Sequence, residues 1–158
     1  PVRPGAKALA CAQDRINEKA LARRLGAETA PFAPVGSRAD LDRALHEIGT
    51  PAVLKTRRFG YDGKGQAKIL SLADADAAWA AMRDQPSVLE GFVSFDREVS
   101  VIAARALDGS FRAFEVTENE HRNHILHRSV APARLGAEAA TEALETARRI
   151  ASALDYVG

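Results

Sequence analysis

A basic, glycine-rich segment between two short apolar runs constrains the fold of this chain more than any other feature. The segment is KTRRFGYDGKGQ, Lys55 to Gln66, which has glycine at positions 60, 63 and 65 and no proline. The apolar runs beside it, PAVLKT and QAKILSL, have the length of β-strands. Glycine lets backbone N–H groups approach an anion without a side chain in the way. We therefore expect two strands joined by a loop that is able to cover a polyphosphate.

The loop pattern by itself leaves three interpretations open. It is neither a Walker A loop, which needs G-K-[ST] at the start of a helix, nor a Rossmann fingerprint, whose last glycine packs a helix against a strand. Asp62 and Gly63 alone would explain a solvated hairpin turn. Phe59 and Tyr61 would suit stacking on the bases of an RNA. A lid over phosphates is the third interpretation, which the basic side chains in the segment favour.

Composition limits the partners and the compartment. The 22 basic and 21 acidic residues give a net charge of +1, so the chain as a whole does not attract nucleic acid or an anionic membrane. With 158 residues, 46% of them hydrophobic, it is long enough for a globular core. Its single cysteine, Cys11, forms no internal disulfide, and no run approaches the ~20 apolar residues of a membrane span. We expect a cytoplasmic protein that binds neither nucleic acid nor membrane.

The first half contains three segments with apolar residues at helical spacing and recognisable ends. They are QDRINEKALARRLG, SRADLDRALHEIG and SLADADAAWAAM. Serine and aspartate three residues apart begin the second and third segments, and glycine ends the first two. These end residues are Ser37 with Asp40, Ser71 with Asp74, Gly26 and Gly49. The predicted order is helix, strand, helix, strand, glycine loop, strand and helix.

After Pro86 the pattern changes to strands. SVLEGFVSF, EVSVIAARAL, FRAFEV and HILHRSVAP are strand-like, and Asp108-Gly109 predicts a hairpin between the second and the third. The last long segment predicts a helix with an apolar stripe of Ala140, Leu144, Ala147, Ala151 and Leu154. We expect an α/β (α+β) chain of antiparallel sheets flanked by helices, with a boundary near residues 84 to 88.

Two carboxylates, Glu90 and Glu98, lie eight residues apart around GFVSFDR. If this stretch is extended, both face one side and Arg97 faces the other. A buried carboxylate needs a partner, and the amine and hydroxyl donors of an adenine and a ribose would satisfy two of them. A solvated strand edge is the alternative interpretation.

The segment HRNHILH places His121, His124 and His127 at intervals that resemble metal-ligand spacing. Steps of three residues alternate faces in a strand and converge only on a helix, which this segment does not favour. We therefore expect no zinc site, and we expect one histidine to contact a phosphate or a carboxylate.

Four segments, taken together, indicate a protein family more specifically than the spacing of their apolar residues does. They are QDRINEK, PAVLKTRRFGYDGKGQ, LEGFVSFDREVSV and ENEHRNHILHRSVAPA, in this order over most of the chain. Together they resemble the 5-(carboxyamino)imidazole ribonucleotide synthases, a family of ATP-grasp enzymes. Other ATP-grasp proteins share only the lysine, the glycine loop and the later acids. The resemblance implies an ATP-grasp fold and a carbon–nitrogen ligase of de novo purine biosynthesis.

The resemblance also implies a reaction and its partners. ATP phosphorylates bicarbonate, and the carboxyphosphate, or carbon dioxide released from it, carboxylates the amine of 5-aminoimidazole ribonucleotide. The products are 5-(carboxyamino)imidazole ribonucleotide, ADP and phosphate. ATP and magnesium are the implied cofactors, and a homodimer is the implied assembly. Another ATP-grasp carboxylate–amine ligase and a non-catalytic nucleotide-binding module stay open as alternatives.

The resemblance assigns roles to individual residues. Lys55 and Arg15 are expected to contact the phosphates, and Tyr61 and Lys64, at the loop tip, to reach the ribonucleotide; Lys55, Tyr61 and Lys64 are the catalytic candidates. Glu98 is expected to hold the ribose. The full set of predicted nucleotide-binding residues is Arg15, Lys55, Gly60, Tyr61, Asp62, Gly63, Lys64, Gly65, Gln66, Glu90, Gly91, Phe92, Val93, Glu98 and His121.

The same resemblance predicts how the chain is divided. Residues 1–13 are expected to connect from an N-terminal domain that this chain lacks, and residues 14–86 to form the first ATP-grasp subdomain with its lid loop. Residues 87–158 are expected to begin the second subdomain. The acidic magnesium ligands are expected beyond Gly158, so no metal ligand is assigned in this chain. We expect the isolated chain to be inactive.

Overall fold

The computed structural model describes residues 2–60 and 64–158. Tyr61, Asp62 and Gly63, all predicted site residues, lie outside the described residues. Backbone contacts divide the chain into two compact units. The first unit comprises Gln13–Ala20 and Glu28–Ser94, and the second comprises the N-terminal residues to Ala12, Leu21–Ala27 and Phe95–Gly158.

Helices and short strands alternate in the first half, and strands dominate until the last helix. In chain order the elements are α1 (Ala6–Ala12), α2 (Arg15–Arg24), β1 (Phe32–Val35), α3 (Arg38–Ile48), β2 (Ala52–Thr56), β3 (Gln66–Ile69), a 3₁₀ turn (Leu72–Asp74), α4 (Ala75–Met82), β4 (Ser87–Gly91), β5 (Glu98–Ser100), β6 (Ala103–Arg105), β7 (Phe111–Ala113), β8 (Thr117–Arg122), β9 (Ile125–Val130) and α5 (Ala137–Ala153).

The first unit is built on one antiparallel sheet with the strand order β1-β4-β2-β3. Leu54 on β2 and Leu89 on β4 are cross-strand partners, and both are fully buried. Helices α3 and α4 contribute their apolar faces to the same core. Burying a leucine side chain stabilises the fold by about 1.5–3 kcal/mol. The core comprises Val35, Leu41, Ala44, Leu45, Ala52, Leu54, Ile69, Ala75, Ala78, Met82 and Leu89.

The predicted helix ends in this unit are confirmed. The Ser37 hydroxyl accepts a hydrogen bond from the Asp40 N–H at 3.1 Å, and α3 ends before Gly49, which has a φ of +85°. Ser71 and Asp74 form the predicted capping box, but the 3₁₀ turn comes between this cap and α4. Both caps satisfy backbone N–H groups that would otherwise lack partners at a helix start.

The strand β4 lies between β1 and β2 in the sheet of the first unit. The boundary predicted near residues 84 to 88 therefore falls inside this unit. SVLEGFVSF does not form one extended strand, because β4 ends at Gly91 and Phe92 to Ser94 are exposed loop residues. Glu90 and Glu98 consequently belong to different sheets, and the expectation that they share one strand face was wrong.

The second unit contains a sheet with the order β5-β8-β9, the two-stranded β6–β7 hairpin, and the helices α1 and α5. The predicted turn at Asp108-Gly109 joins β6 and β7, and Gly109 has a φ of +85°. EVSVIAARAL was predicted as one strand, but it divides into β5 and β6, which belong to different sheets. The apolar run cannot signal this division, because its residues continue through both strands without a turn signal.

The last helix, α5, follows the prediction closely. The five stripe residues from Ala140 to Leu154 are half-buried, whereas Glu138, Glu142 and Glu145 are exposed. The Arg149 guanidinium donates to the carbonyl of Leu25 at 2.7 Å, which satisfies a carbonyl near the end of α2. Among the described residues, no helix is long and apolar enough to cross a membrane.

Candidate functional site

The centre of the candidate site is a carboxylate held by two lysines. The Nζ atoms of Lys55 and Lys19 lie 3.0 Å and 3.2 Å from the same oxygen, Oε2 of Glu90. The Glu90 side chain is only 10% exposed, and the lysines are 27% and 20% exposed. A buried carboxylate is costly without a partner, so these two ammonium groups are what allows it to lie here.

The sheet register brings Lys55 to Glu90. Glu90 on β4 is the direct partner of Val53 on β2, and Lys55 lies two residues further along β2. Residues two apart in a strand share a face, so Lys55 and Glu90 are on the same side of the sheet. Lys55 is also the direct partner of Gln66, the first residue of β3. The glycine loop therefore begins and ends beside Lys55, Glu90 and Lys19, which we call the charged group.

A second ion pair holds the start of α2 against the residues that follow β2. Asp14 accepts hydrogen bonds from the N–H groups of Ile16 and Asn17, which makes it the N-cap of α2. The Arg57 guanidinium donates to both Asp14 oxygens, at 3.2 Å and 2.6 Å. Burial raises the pKa of the Asp14 carboxyl, but the hydrogen bonds from Arg57 and Ile16 outweigh it, so the pKa lies below its ordinary value.

Arg15, the next residue, lies against the start of the glycine loop. Its backbone N–H donates to the Arg57 carbonyl at 3.1 Å. A Cβ atom at Gly60 would come within 2.7 Å of an Arg15 guanidinium nitrogen and 3.2 Å from the Lys64 carbonyl. The Arg15 Nε atom is buried and has no hydrogen-bond partner among the described residues. A buried donor without a partner is unusual in a protein.

The far end of the loop requires glycine for a different reason. Gly65 has a φ of +68°, and a Cβ atom there would come within 2.7 Å of the Thr56 hydroxyl oxygen. The Gly65 carbonyl accepts from the Thr56 N–H at 2.8 Å. Gly65 thus lets the loop close directly onto β2, next to Lys55. The predicted site residues Tyr61, Asp62 and Gly63 lie in the part of the chain that the structure does not describe.

The chain leaves the sheet after Gly91, the last residue of β4. Gly91 and Phe92 donate their N–H groups to the carbonyls of Pro31 and Pro51. In residues 2–60 and 64–158, no group accepts a hydrogen bond from the Val93 N–H, and the Val93 side chain is exposed. Of the three residues predicted after Glu90 to hold a base, Val93 is therefore the one whose backbone donor is available.

Glu98 and His121 form a pair of their own in the second unit. Nδ1 of His121 lies 3.2 Å from Oε1 of Glu98, and both side chains are well exposed to solvent. Glu98 is the direct cross-strand partner of Asn119, which hydrogen-bonds to Ser100 and Ser129. The expectation that one histidine contacts a carboxylate is confirmed. His124 lies in the turn between β8 and β9.

Three members of this arrangement were not predicted from the sequence: Lys19, Asp14 and Arg57. Asp14 had a usable signal, since aspartate directly before a helical segment is a preferred N-cap. Lys19 had none, because its pairing with Glu90 depends on the docking of α2 beside the sheet. Among the described residues, no group of three or more His, Cys, Asp or Glu is arranged to hold a metal ion.

Comparison with known proteins assigns the family. The family model described as the ATP-grasp domain matches residues 20–158. The chain belongs to the ATP-grasp family. It is 46% identical over 158 residues to the N5-carboxyaminoimidazole ribonucleotide synthase of Pseudomonas aeruginosa. The aligned residues are 100% of this chain and 43% of that protein.

Two further comparisons agree with this family assignment. The synthase of the same name from Brucella melitensis is 45% identical over 159 residues, which is 99% of this chain and 44% of that protein. The crystal structure of the ADP complex of an N5-carboxyaminoimidazole ribonucleotide synthetase superimposes with a TM-score of 0.92 at 39% identity. That match covers 98% of this ATP-grasp chain and 41% of the synthetase. The chain thus spans less than half the length of the relatives it matches.

Proposed function

We propose that this ATP-grasp chain is the ATP-binding part of a ligase that carboxylates 5-aminoimidazole ribonucleotide with bicarbonate. ATP would phosphorylate bicarbonate, and the activated carboxyl group would pass to the amine of the ribonucleotide, leaving ADP and phosphate. The observation that carries the proposal is the ion pair between Lys55 and Glu90, which lies where the glycine loop begins and ends. The similarity to the two bacterial synthases supports the choice of this ligase among ATP-grasp enzymes.

The charges of the first unit suit a nucleotide. Lys55, Lys19 and Arg15 supply three cations, of which the Arg15 Nε has no partner among the described residues. Phosphoryl transfer asks the protein mainly for positioning and for neutralisation of charge. We propose that Lys55 and Arg15 bind the phosphates, and that the N–H of Val93 and the acceptors around Glu90 bind the adenine base.

The resemblance adds several further parts to the proposal. These are the ribose contact of Glu98, the nucleotide contact of His121, the contributions of Tyr61 and Lys64, the use of magnesium and bicarbonate, the homodimer and the cytoplasmic location. Magnesium would supply charge neutralisation between the phosphates when it is bound. The described residues offer no cluster to hold it.

Calorimetric titration of ATP onto the chain tests the phosphate site. We expect binding that Lys55→Ala weakens at least tenfold, because a charge-assisted hydrogen bond contributes about 1.5–3 kcal/mol. Lys68→Ala is the matched control, since Lys68 is an exposed lysine on the adjacent strand β3. Equal affinity in the wild type and Lys55→Ala would refute the phosphate role of Lys55.

Turnover tests the substrates. In the complete gene product, phosphate release from ATP should require both bicarbonate and 5-aminoimidazole ribonucleotide. Release that depends on a different amine or carboxylate would assign the chain to another ATP-grasp ligase. ATP binding without release under any of these conditions would favour the non-catalytic nucleotide-binding module.

A further inference from the structure

Lys19 is the member of the charged group to which neither the sequence nor the comparisons assign a role. It lies on α2 and contacts two residues of the sheet. Its Nζ is 3.2 Å from Glu90 Oε2 and 5.9 Å from the centre of the Phe32 ring, over the ring face. An ammonium group at this distance from an aromatic ring is attracted to it. Lys19 is therefore held from two sides.

The register of the sheet explains why one lysine reaches both residues. Phe32 on β1 and Glu90 on β4 are direct cross-strand partners. Directly opposed residues of an antiparallel pair carry their side chains on the same face, about 4.5–5.5 Å apart at Cβ. One side of Lys19 thus contacts an aromatic ring and the other a carboxylate, and the strand pairing fixes both contacts.

Two lysines pair with the same oxygen of Glu90. A bound nucleotide would draw Lys55 away from Glu90 but would leave Lys19 in place. Lys55 lies at the mouth of the glycine loop, where phosphates would attract it. Lys19 is also held by the Phe32 ring, which gives it a contact that phosphates do not replace. When Lys55 turns to a polyphosphate, the buried Glu90 keeps one cation. Without Lys19 it would be a buried carboxylate with no cationic partner, which is strongly unfavourable.

We propose that Lys19 is a positioning residue that determines base specificity at the nucleotide site. It holds the Glu90 carboxylate in place while Lys55 serves the phosphates, so that Glu90 accepts a hydrogen bond from the exocyclic amine of adenine. This inference rests on the proposed ATP-binding function. A carboxylate that accepts from an amine repels a carbonyl oxygen at the same position. The arrangement therefore selects a 6-amino purine over a 6-oxo purine.

Comparison of ATP with ITP isolates this role, because inosine carries a carbonyl oxygen in place of the adenine amine. Affinities for both nucleotides are measured by calorimetry on the complete gene product, as the wild type, Lys19→Met, Lys19→Arg and the matched control Lys68→Met. We expect the wild type and Lys68→Met to prefer ATP strongly. Lys19→Met should reduce the ratio of ATP to ITP affinity about tenfold, and Lys19→Arg, which retains the positive charge, should restore most of it.

Kinetics of the complete gene product give a second readout that a general loss of structure does not imitate. Lys19→Met should raise the KM for ATP about tenfold and change kcat less than twofold, because Lys55 still binds the phosphates. Lys19→Gln, which keeps a hydrogen-bond donor without the charge, is measured in parallel and replaces Lys19→Met if that variant does not fold. It should lower the ATP-to-ITP ratio in the same direction.

The outcomes separate this inference from the proposed function. If wild type binds ATP and Lys19→Met loses ATP and ITP affinity equally, Lys19 has only a structural role and the inference is overturned. If Lys19→Met binds both nucleotides as tightly as the wild type does, the inference is overturned as well, and both results leave the proposed function intact. If the wild-type complete gene product binds neither nucleotide, the proposed function fails and the inference fails with it.

Discussion

At the scale of single residues, the loop that follows β2 depends on which positions have a side chain. A side chain at Gly60 would displace the Arg15 guanidinium and crowd the Lys64 carbonyl. Phe59, the residue before it, is 87% exposed and has a φ of +62°. A bulky residue in the left-handed region is strained by about 1–2 kcal/mol. Position 60 is thus occupied by the glycine that its surroundings require, whereas position 59 carries a bulky side chain in a conformation that favours glycine.

Replacing Gly60 by alanine should weaken nucleotide binding more than it weakens the fold. The new Cβ would push the end of the flexible Arg15 side chain away from the loop, at little cost in stability but with loss of one proposed phosphate contact. We expect ATP affinity to fall about three- to tenfold in a calorimetric titration. Gly5→Ala is the control, because a Cβ at Gly5 meets nothing within 4 Å. An unchanged affinity in Gly60→Ala would show that Arg15 does not bind the phosphates.

Replacing Phe59 by glycine should stabilise the chain. Relief of the left-handed strain exceeds the 0.5–1 kcal/mol that glycine loses through its greater freedom in the unfolded state, so the net gain is about 0.5–1 kcal/mol. Urea unfolding measures it. Phe114→Gly is a suitable comparison, because Phe114 is 73% exposed and is not among the described non-glycine residues with positive φ. That variant should lose stability, and a loss at both positions would contradict the strain at Phe59.

At the scale of elements, the start of α2 depends on the two functions of Asp14, which caps the helix and pairs with Arg57. Asparagine caps a helix about as well as aspartate but carries no charge. Asp14→Asn should therefore cost about 2 kcal/mol at pH 7, the contribution of hydrogen bonds to a charged group. Asp14→Ala also removes the cap and should cost about 1 kcal/mol more. Urea unfolding of both variants separates the two functions, and equal losses would show that the cap contributes nothing.

The same pair predicts a pH dependence with a definite sign. The folded-state pKa of Asp14 lies below its ordinary value of 3.8, since the Arg57 and backbone hydrogen bonds outweigh burial. Its stabilisation is therefore fully present above about pH 5 and is lost as the pH falls through the folded-state pKa. The stability difference between wild type and Asp14→Asn should stay constant from pH 7 to 5 and shrink at pH 3. A difference that grows on acidification would mean that the pKa is raised instead.

Sequence alone predicted the elements whose ends carry capping residues and whose faces are apolar. Helix α3 with Ser37 and Gly49 is an example, as is the hairpin turn at Asp108-Gly109. It missed β8, because TENEHR contains no apolar residue and so lacks the alternation of apolar and polar residues that marks a half-buried strand. At the site, the sequence predicted Lys55 and Glu90 as two separate nucleotide-binding residues. Their contact, and that of Lys19, depends on the register of β1, β4 and β2, which local patterns do not contain.

At the scale of the whole chain, the two units differ in how much apolar surface they bury. Every residue of the buried core cluster belongs to the first unit. The buried apolar residues described in the second unit are Ala8, Leu21 and Val116, and all six residues of β9 are exposed. Local stability follows buried contacts, because segments that bury little open at little cost in free energy. The units should therefore differ in how often their hydrogen bonds open.

Hydrogen exchange measures this difference directly. We expect the amides of β2 and β4, which lie inside a four-stranded sheet, to exchange at least a hundredfold more slowly than those of β9. Leu89→Ala, which removes a fully buried side chain from β4, should cost about 2–5 kcal/mol and accelerate exchange throughout the first unit. If β9 responds as strongly as β2 to this substitution, the two units unfold as one cooperative body. An unchanged rate in β9 would show that each unit opens by itself.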